Sequence, residues 1–361
     1  MKQESMLIVT AHPEFIDDAV SELKRFDKRL TFIDELAPGI GLCATPEVNT
    51  LMRLAAEQRP IFVRHLAPVQ AIVPLTNNEQ DVSELAVTIA GLSTFAYFEP
   101  GQRFAVQTRI VQAEGSAVKR PYSGGHINKT LAEAIAEETG AVESIKKPQI
   151  VVSLLCTTDK AYVGISLAKD NLSDWPGGAR HFAQTPEQIS RAEFKLLEAL
   201  EVFGLTLPTK GRVLDLGAAP GGWTRLLLEA GLHVVAVDPA NLDPRLKGQP
   251  RLEHYRGYAE DYLEQAIKGR KRFDLIVNDM RMDARDAARL LGQASECLQR
   301  DGFVVSVFKL PHATPDFHPV PTLKQALNLL SKHYGIVQAR QLFHNRQEVT
   351  VVTAQPLSMR K

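Results

Sequence analysis

The chain has 361 residues, enough for two or three domains with packed cores, and its 44% hydrophobic share is that of an ordinary globular protein. Lysine plus arginine equals aspartate plus glutamate at 42 each, so overall charge gives no argument for nucleic-acid binding and any basic surface must be local. No apolar run approaches the roughly 18 to 20 residues of a bilayer span, the start "MKQESMLIVT" lacks the apolar stretch of a secretory signal, and Cys43, Cys156 and Cys297 stand far apart, which argues against membrane embedding, a disulfide frame and a zinc knuckle and for a cytoplasmic protein with buried, reduced thiols.

Residues 1–75 alternate short β-like runs ("MLIVTA", "RLTFIDELAPGIGLCAT", "IFVRHLAPVQAIVPL") with helical patterns ("EFIDDAVSELKRF", "VNTLMRLAAEQ"). Period-2 runs beside 3.6-period segments predict a small α+β unit of the split βαβ kind, with no catalytic constellation in it. Residues 76–169 form a second unit: helix "VSELAVTIAGLSTF", strand "RFAVQTRIVQ", helix "INKTLAEAIAEETG" closed by Gly140, and two strands around a turn at Thr157 to Lys160. Arg103, Arg109, Lys119, Arg120, Lys129, Lys146 and Lys147, with Tyr122 among them, could touch phosphates, and the same set suits a solvated surface equally well. Residues 170–188, rich in Pro, Gly and polar side chains without periodicity, read as a linker in which Trp175 and Arg180 either stack on a base or pin the linker to a domain.

From 189 to 361 strands and helices alternate: helix "SRAEFKLLEALEVF", strand "RVLDLG", helix "GGWTRLLLEAG", strands "HVVAVD" and "FDLIVND", helix "ARDAARLLGQASECLQ", strand "GFVVSVFKL", helix "PTLKQALNLLSKH", and a final pair "GIVQARQLF" and "EVTVVTAQP". This pattern predicts a mostly parallel, doubly wound sheet with ligand sites at the carboxyl ends of its strands.

The first of those strands runs into "LDLGAAPGGWT". Gly217, Gly221 and Gly222 at a strand-to-helix turn let a ligand approach the backbone. A nicotinamide dinucleotide would want GxGxxG, whereas here Asp215 sits inside the would-be phosphate cradle. A carboxylate opposes pyrophosphate and suits a cation, which favours S-adenosylmethionine. Asp238, about twenty residues on at the end of the second strand, can accept hydrogen bonds from ribose hydroxyls.

Four polar residues lie at the edges of the same domain. Lys195 is on the helix before the first strand, Asp279 and Lys309 end apolar strands, and Glu348 begins one. An RNA ribose hydroxyl is a poor nucleophile and needs a base; a lysine serves if desolvation and a neighbouring cation lower its pKa. Lys195 can supply that charge beside Lys309, with Asp279 and Glu348 orienting the two ammonium groups.

The stretches "SRAEFKLLEAL", "VLDLGAAPGGWT", "VVAVD", "DLIVNDM", "VVSVFKL" and "NRQEVTVV" resemble, in order, the motifs of the FtsJ-type ribose 2′-O-methyltransferases, over nearly all of residues 189 to 357. Within that family the "ARQLFHNRQEVTVV" ending and the three-part layout are similar to bacterial enzymes that methylate a cytidine ribose of 23S rRNA. The resemblance implies a Rossmann-like class I methyltransferase domain preceded by a ferredoxin-like unit and a THUMP RNA-binding unit. It implies Lys195, Asp279, Lys309 and Glu348 as a Lys-Asp-Lys-Glu tetrad with Lys309 as proton acceptor. Asp215, Gly217, Ala219, Pro220, Gly221, Gly222, Trp223, Asp238 and Asp279 become S-adenosylmethionine positions. The chain departs from the family where an aspartate usually meets the adenine amino group: Tyr258 stands there, with Glu260 and Asp261 just beyond, so a backbone group or a shifted acid takes that contact.

His312, His318, His333 and His344 are scattered without ligand spacing, so the transfer is expected to be metal-free. RNA is expected across the second unit, the linker and the catalytic mouth, with the target nucleotide splayed out, and no membrane or obligate protein partner is implied. The alternatives are a 2′-O-methyltransferase of another RNA such as tRNA, a non-catalytic RNA-binding protein retaining the cofactor fold, and a small-molecule methyltransferase.

Overall fold

A computed structural model describes residues 5–111, 118–314 and 316–360. Its first elements are β1 (Ser5–Thr10), α1 (Ile16–Leu23), β2 (Thr31–Ala37), β3 (Ile40–Thr45), α2 (Val48–Gln58) and β4 (His65–Val69). Helix α1 turns Ile16, Ala19, Val20 and Leu23, one face at helical spacing, into the core and keeps Asp17 and Asp18 in its first turn, where the helix dipole favours acids. The four strands form an antiparallel sheet in the order β2-β3-β1-β4.

The run "IFVRHLAPVQAIVPL", expected within the first unit, divides. Its first part is β4, and after Gln70 it continues as β5 (Ala71–Pro74), an edge of the next sheet. Gln70 is the pivot: its side-chain amide donates to the Ile165 carbonyl at 3.0 Å and accepts from the Ile165 N–H at 3.0 Å. The next elements are α3 (Gln80–Ala90), β6 (Arg103–Ile110), α4 (Gly124–Thr139), β7 (Val142–Glu143), β8 (Ile150–Cys156) and β9 (Lys160–Leu167). Helix α4 begins three residues before its apolar pattern does, because the Ser123 hydroxyl caps it by accepting from His126 N–H at 3.1 Å, and it ends at Gly140 in the left-handed region at φ 70°. The sheet order is β5-β9-β8-β6-β7, with β6 parallel to both its neighbours and β9 antiparallel to both of its own. Ile8, Ile40, Leu42, Ala67 and Val69 of the first sheet share a buried cluster with Leu155 and Tyr162 of the second, and the two sheets together form one unit, Met1–Arg180.

The other unit, His181–Lys361, contains α5 (Glu193–Val202), β10 (Arg212–Leu216), α6 (Gly222–Glu229), β11 (His233–Val237), β12 (Leu252–Tyr255), α7 (Ala259–Lys268), β13 (Phe273–Asn278), α8 (Ala284–Ala294), β14 (Leu298–Lys309), α9 (Pro319–Leu330), β15 (Tyr334–Arg340) and β16 (Glu348–Pro356). Segment 170–188, expected as a linker, thus divides between the units. Gln107 donates to the Asp174 carbonyl at 2.6 Å in the first, and Phe182 stacks on Phe194 in the second.

Seven strands order as β12-β11-β10-β13-β14-β16-β15; β10 to β14 are parallel, and β16 runs antiparallel between β14 and β15. Buried aliphatic runs such as Val213, Leu214 and Leu216 are what a parallel sheet covered on both faces requires. Chain order reverses at β10, which has β11 on one side and β13 on the other. That reversal opens a crevice at the carboxyl ends of β10 and β13. Cys43, Cys156 and Cys297 are buried free thiols, and no helix among the described residues is long and apolar enough to cross a membrane.

Candidate active site

At the carboxyl edge of this sheet four charged side chains close into a ring. Lys195, on α5, lies 3.3 Å from the Asp279 carboxylate and 2.7 Å from that of Glu348. Lys309 contacts Asp279 directly and lies 2.7 Å from Glu348. The convergence follows from topology. Asp279 comes directly after β13 at the switch point, and Lys309 and Glu348 are cross-strand partners where β14 and β16 pair antiparallel. Each cation touches both anions, so the ring carries no net charge. It lines one wall of an open cleft of about 960 Å³, together with Ala219 of the glycine turn and with Arg281, His312 and Arg346.

The charge state of Lys309 differs from the sequence expectation of a lowered pKa. Burial pushes the ammonium toward neutrality, but the Asp279 and Glu348 carboxylates outweigh it, and the net pKa is raised. Glu348 responds in the opposite sense: burial opposes its charge, Lys309 and Lys195 favour it, and its pKa is lowered. The neighbouring lysine that was expected to discharge Lys309 is itself neutralised by the same two acids.

The glycine turn sits beside the ring. Gly217 adopts φ 75°, and a Cβ there would meet Met280, the neighbour of Asp279, at 2.4 Å from its Cγ and 3.2 Å from its Cα. Gly221, at φ 111°, would meet Leu246, and Gly222 would meet Ser190 and Glu193, so each glycine marks a close backbone approach. Asp238 braces the turn by accepting from Ala219 N–H at 3.1 Å and Ala240 N–H at 2.8 Å. Those two bonds leave about two of its four lone-pair directions for hydroxyl donors. The Pro220 carbonyl accepts from Asp243 N–H at 2.8 Å.

Two of the expected cofactor positions are buried and engaged by protein groups. Asp215 is 2% exposed and accepts from the Thr224 hydroxyl at 2.6 Å. Burial, with the charges of Asp279 and Asp238 adding to it and the Thr224 hydrogen bond opposing, pushes its carboxyl up to about 7, so it is no fixed anion for a ligand cation. Asp279 lines the cleft, as Glu348 and Asp283 do. Trp223 is buried in the core, its indole N–H donating to the Ala192 carbonyl at 2.6 Å, and it ties α6 to α5. Tyr258 stands just before the amino terminus of α7, makes no side-chain capping bond and is 66% exposed, with Glu260 and Asp261 in that helix's first turn.

Local pattern does not reveal two buried acids on α5. Glu193, 2% exposed, accepts from Ile189 N–H at 2.7 Å and from Arg225 at 3.2 Å, and it lies against Gly222. Glu198, 3% exposed, accepts from Phe343 N–H at 2.7 Å and His344 N–H at 2.9 Å and contacts His344 Nδ1 at 2.7 Å. One helix therefore carries Lys195 and anchors both the glycine turn and the segment entering Glu348. His344, read as a loop or surface residue, is half-buried in this arrangement. Among the described residues no cluster of three or more His, Cys, Asp or Glu could hold a metal ion.

In the first unit the basic set separates. Arg120 donates to the Asn77 side chain at 2.8 Å and to the Thr157 carbonyl, and Tyr122 is buried with its hydroxyl on Asp81, so both hold structure together. Arg103, Lys119, Lys129, Lys146 and Lys147 are exposed, and Arg109 is half-buried. Arg180 stacks its guanidinium 4.1 Å over the Trp175 ring, so each covers a face of the other.

Comparison with known proteins gives a consistent picture. A family model described as FtsJ-like methyltransferase matches residues 188–331. Curated proteins named ribosomal RNA large subunit methyltransferase M are similar to the chain: that of Halorhodospira halophila is 36% identical over 49% of this chain and 50% of its own length. That of Psychromonas ingrahamii is 32% identical over 55% of each. That of Sodalis glossinidius is 30% identical over 84% of this chain and 82% of its own length. The matched stretch thus spans about half of the first two relatives and four fifths of the third.

Proposed function

The chain belongs to the ribosomal RNA large subunit methyltransferase M family, and from that membership we propose that it transfers a methyl group from S-adenosylmethionine to a ribose 2′-hydroxyl, that of a cytidine in 23S rRNA. The observation that carries this reading is the ring of Lys195, Asp279, Lys309 and Glu348 at the carboxyl edge of a parallel sheet, beside the glycine turn.

S-adenosylmethionine, when bound, supplies a methyl group on a sulfonium, open to attack by an oxygen nucleophile. The residues present fit it: the turn of Gly217, Ala219, Pro220, Gly221 and Gly222, packed tightly on Met280, Leu246 and Glu193, presents Ala219 to the cleft, Asp238 has acceptor capacity for ribose hydroxyls, and Asp279 presents a carboxylate to the ligand's positive charge. Tyr258 and the start of α7 serve the adenine side. The chain's own task is to place the hydroxyl and take its proton. Lys309 in its neutral form accepts that proton and becomes the ammonium that the Asp279 and Glu348 carboxylates stabilise. Lys195 balances the second negative charge and keeps both acids aimed into the ring.

We assign the first sheet, with element order β-α-β-β-α-β and strand order β2-β3-β1-β4, as ferredoxin-like, and the sheet β5 to β9 with its helices as a THUMP-like RNA-binding unit. The exposed Lys119, Lys146 and Lys147 support RNA contact there, while Arg103 donates to the Lys147 carbonyl at 3.1 Å and Lys129 lies 3.9 Å from Glu133.

The test is methyl transfer from labelled S-adenosylmethionine to rRNA and tRNA purified from cells lacking this gene, run beside Lys309→Ala, with the modified nucleotide mapped. Labelling of a ribose in large-subunit rRNA, lost in the variant, supports the whole reading. Labelling of tRNA alone keeps the chemistry and replaces the substrate; cofactor binding without transfer to either RNA favours a binding protein or a small-molecule enzyme.

A further inference from the structure

The catalytic ring is electrically silent, and that leaves the attraction of a polyanion unexplained at the point of reaction. The fixed charges lining the cleft are the ring itself, Asp283, Arg281 and Arg346. Asp283 is matched by Arg285 at 2.9 Å, so two positive charges remain, both on exposed side chains. Among the described residues neither guanidinium has a hydrogen-bond or ion-pair partner.

Each lies two residues in sequence from an acid of the ring. Arg281 follows Asp279 by two residues and Arg346 precedes Glu348 by two. Both stand on pinned backbone. Beside Arg281, Met280 N–H donates to the Asn278 side chain at 3.2 Å, and Asp283 bridges in parallel to Lys309 of β14. Beside Arg346, the Asn345 side chain accepts from Leu342 N–H at 2.9 Å and the Thr350 hydroxyl at 3.0 Å, while Glu198 clamps Phe343 and His344. Fixed backbone under a free fork of donors suits a phosphate, which takes two parallel N–H bonds from one guanidinium.

We propose that Arg281 and Arg346 bind the two phosphates flanking the nucleotide whose ribose enters the ring, one on each side, and so set which ribose in the strand is presented. The inference rests on the reading of the cleft as an RNA ribose site. It gives the cleft a phosphate grip separate from the proton chemistry.

The experiment measures affinity of the full chain for large-subunit rRNA from cells lacking this gene across a series of KCl concentrations, together with KM for that RNA, in wild type, Arg281→Ala, Arg346→Ala, the double variant and Arg281→Lys. Each lost phosphate contact on a single strand lowers the slope of log affinity against log salt by about 0.7, and the double variant by about twice that. KM for RNA rises several-fold with a smaller change in kcat, and KM for S-adenosylmethionine stays put. Arg281→Lys keeps the slope and loses affinity, because charge survives and the fork does not. Arg300→Ala, an exposed arginine at the opposite end of β14, serves as the control and keeps the wild-type slope. Alanine variants that keep the wild-type slope and KM on an RNA the wild type methylates overturn the inference alone. Slopes that fall as expected while the wild type transfers no methyl group uphold the grip and overturn the proposed reaction.

Discussion

Replacing Asp215 with asparagine isolates the cost of a buried carboxyl. The side chain is 2% exposed, and burial holds its pKa near 7 against an ordinary 3.8. In the folded chain it therefore keeps its proton to near neutrality, while in the unfolded chain it ionises near pH 4. Between those values the folded state binds the extra proton, so stability falls as pH rises, from fully present below about pH 4 to lost above about pH 7. Between pH 5 and pH 7 the proton difference falls from nearly one to about one half, so about 1.7 pH units at about 1.36 kcal/mol each give about 2 kcal/mol. Asparagine keeps the shape and an acceptor for Thr224 but has no proton to lose, so the wild type should lose about 2 kcal/mol relative to Asp215→Asn across that window. The chain has two tryptophans, Trp175 in the first unit and Trp223 in the second, so a Trp175→Phe background leaves one reporter in the unit that holds Asp215. Urea titrations followed by Trp223 fluorescence at pH 5, 6, 7 and 8 give the comparison directly. A difference between the two proteins that stays constant within about 0.5 kcal/mol over that range would refute the reasoning.

Because the carboxylates hold Lys309 charged, its neutral fraction at pH 7 is small, and the single-turnover rate should climb about tenfold per pH unit on the alkaline side of neutrality. Glu348→Gln removes one of the two anions, so the rising limb should move to lower pH; a wild-type rate that is flat between pH 7 and 9 speaks against Lys309 as the base. Gly217→Ala places a methyl against Met280, side chain first and Cα behind it, at positive φ, which should cost at least about 1 to 2 kcal/mol in the left-handed backbone alone and also displace Asp279. Gly248→Ala, also at positive φ but with nothing within 4 Å, should show only the backbone cost in urea titration and keep full methyl transfer; equal losses of activity in the two variants would count against the close approach at Gly217.

Which parts of this site can be read from sequence depends on how far each property travels from its own residue. Asp279 and Lys309 are readable because a parallel sheet gathers its strand ends along one edge, and a charge that terminates an apolar run has nowhere else to go. Glu348 joins them through the antiparallel pairing of β16 with β14, which puts it opposite Lys309. Charge states do not follow from position in the same way. Whether Lys309 is lowered or raised turns on contacts with two carboxylates from different strands, and a cation and an anion at the same sheet edge look equally close in sequence. Asp215 shows the same gap from the other side: its place in the motif is plain, but the packing of α6 over β10 decides that its carboxyl meets Thr224 and no solvent. Glu193 and Glu198 are hidden because an acid on a helix reads as a solvated face until its partners, the backbone amides of segments up to 146 residues away, are known. The converse error falls on Arg120 and Tyr122, which carry the composition of a phosphate-binding surface and are spent on internal hydrogen bonds. An arginine becomes evidence for a polyanion only after its internal partners have been counted, and that count leaves Arg281 and Arg346 at the mouth of the cleft.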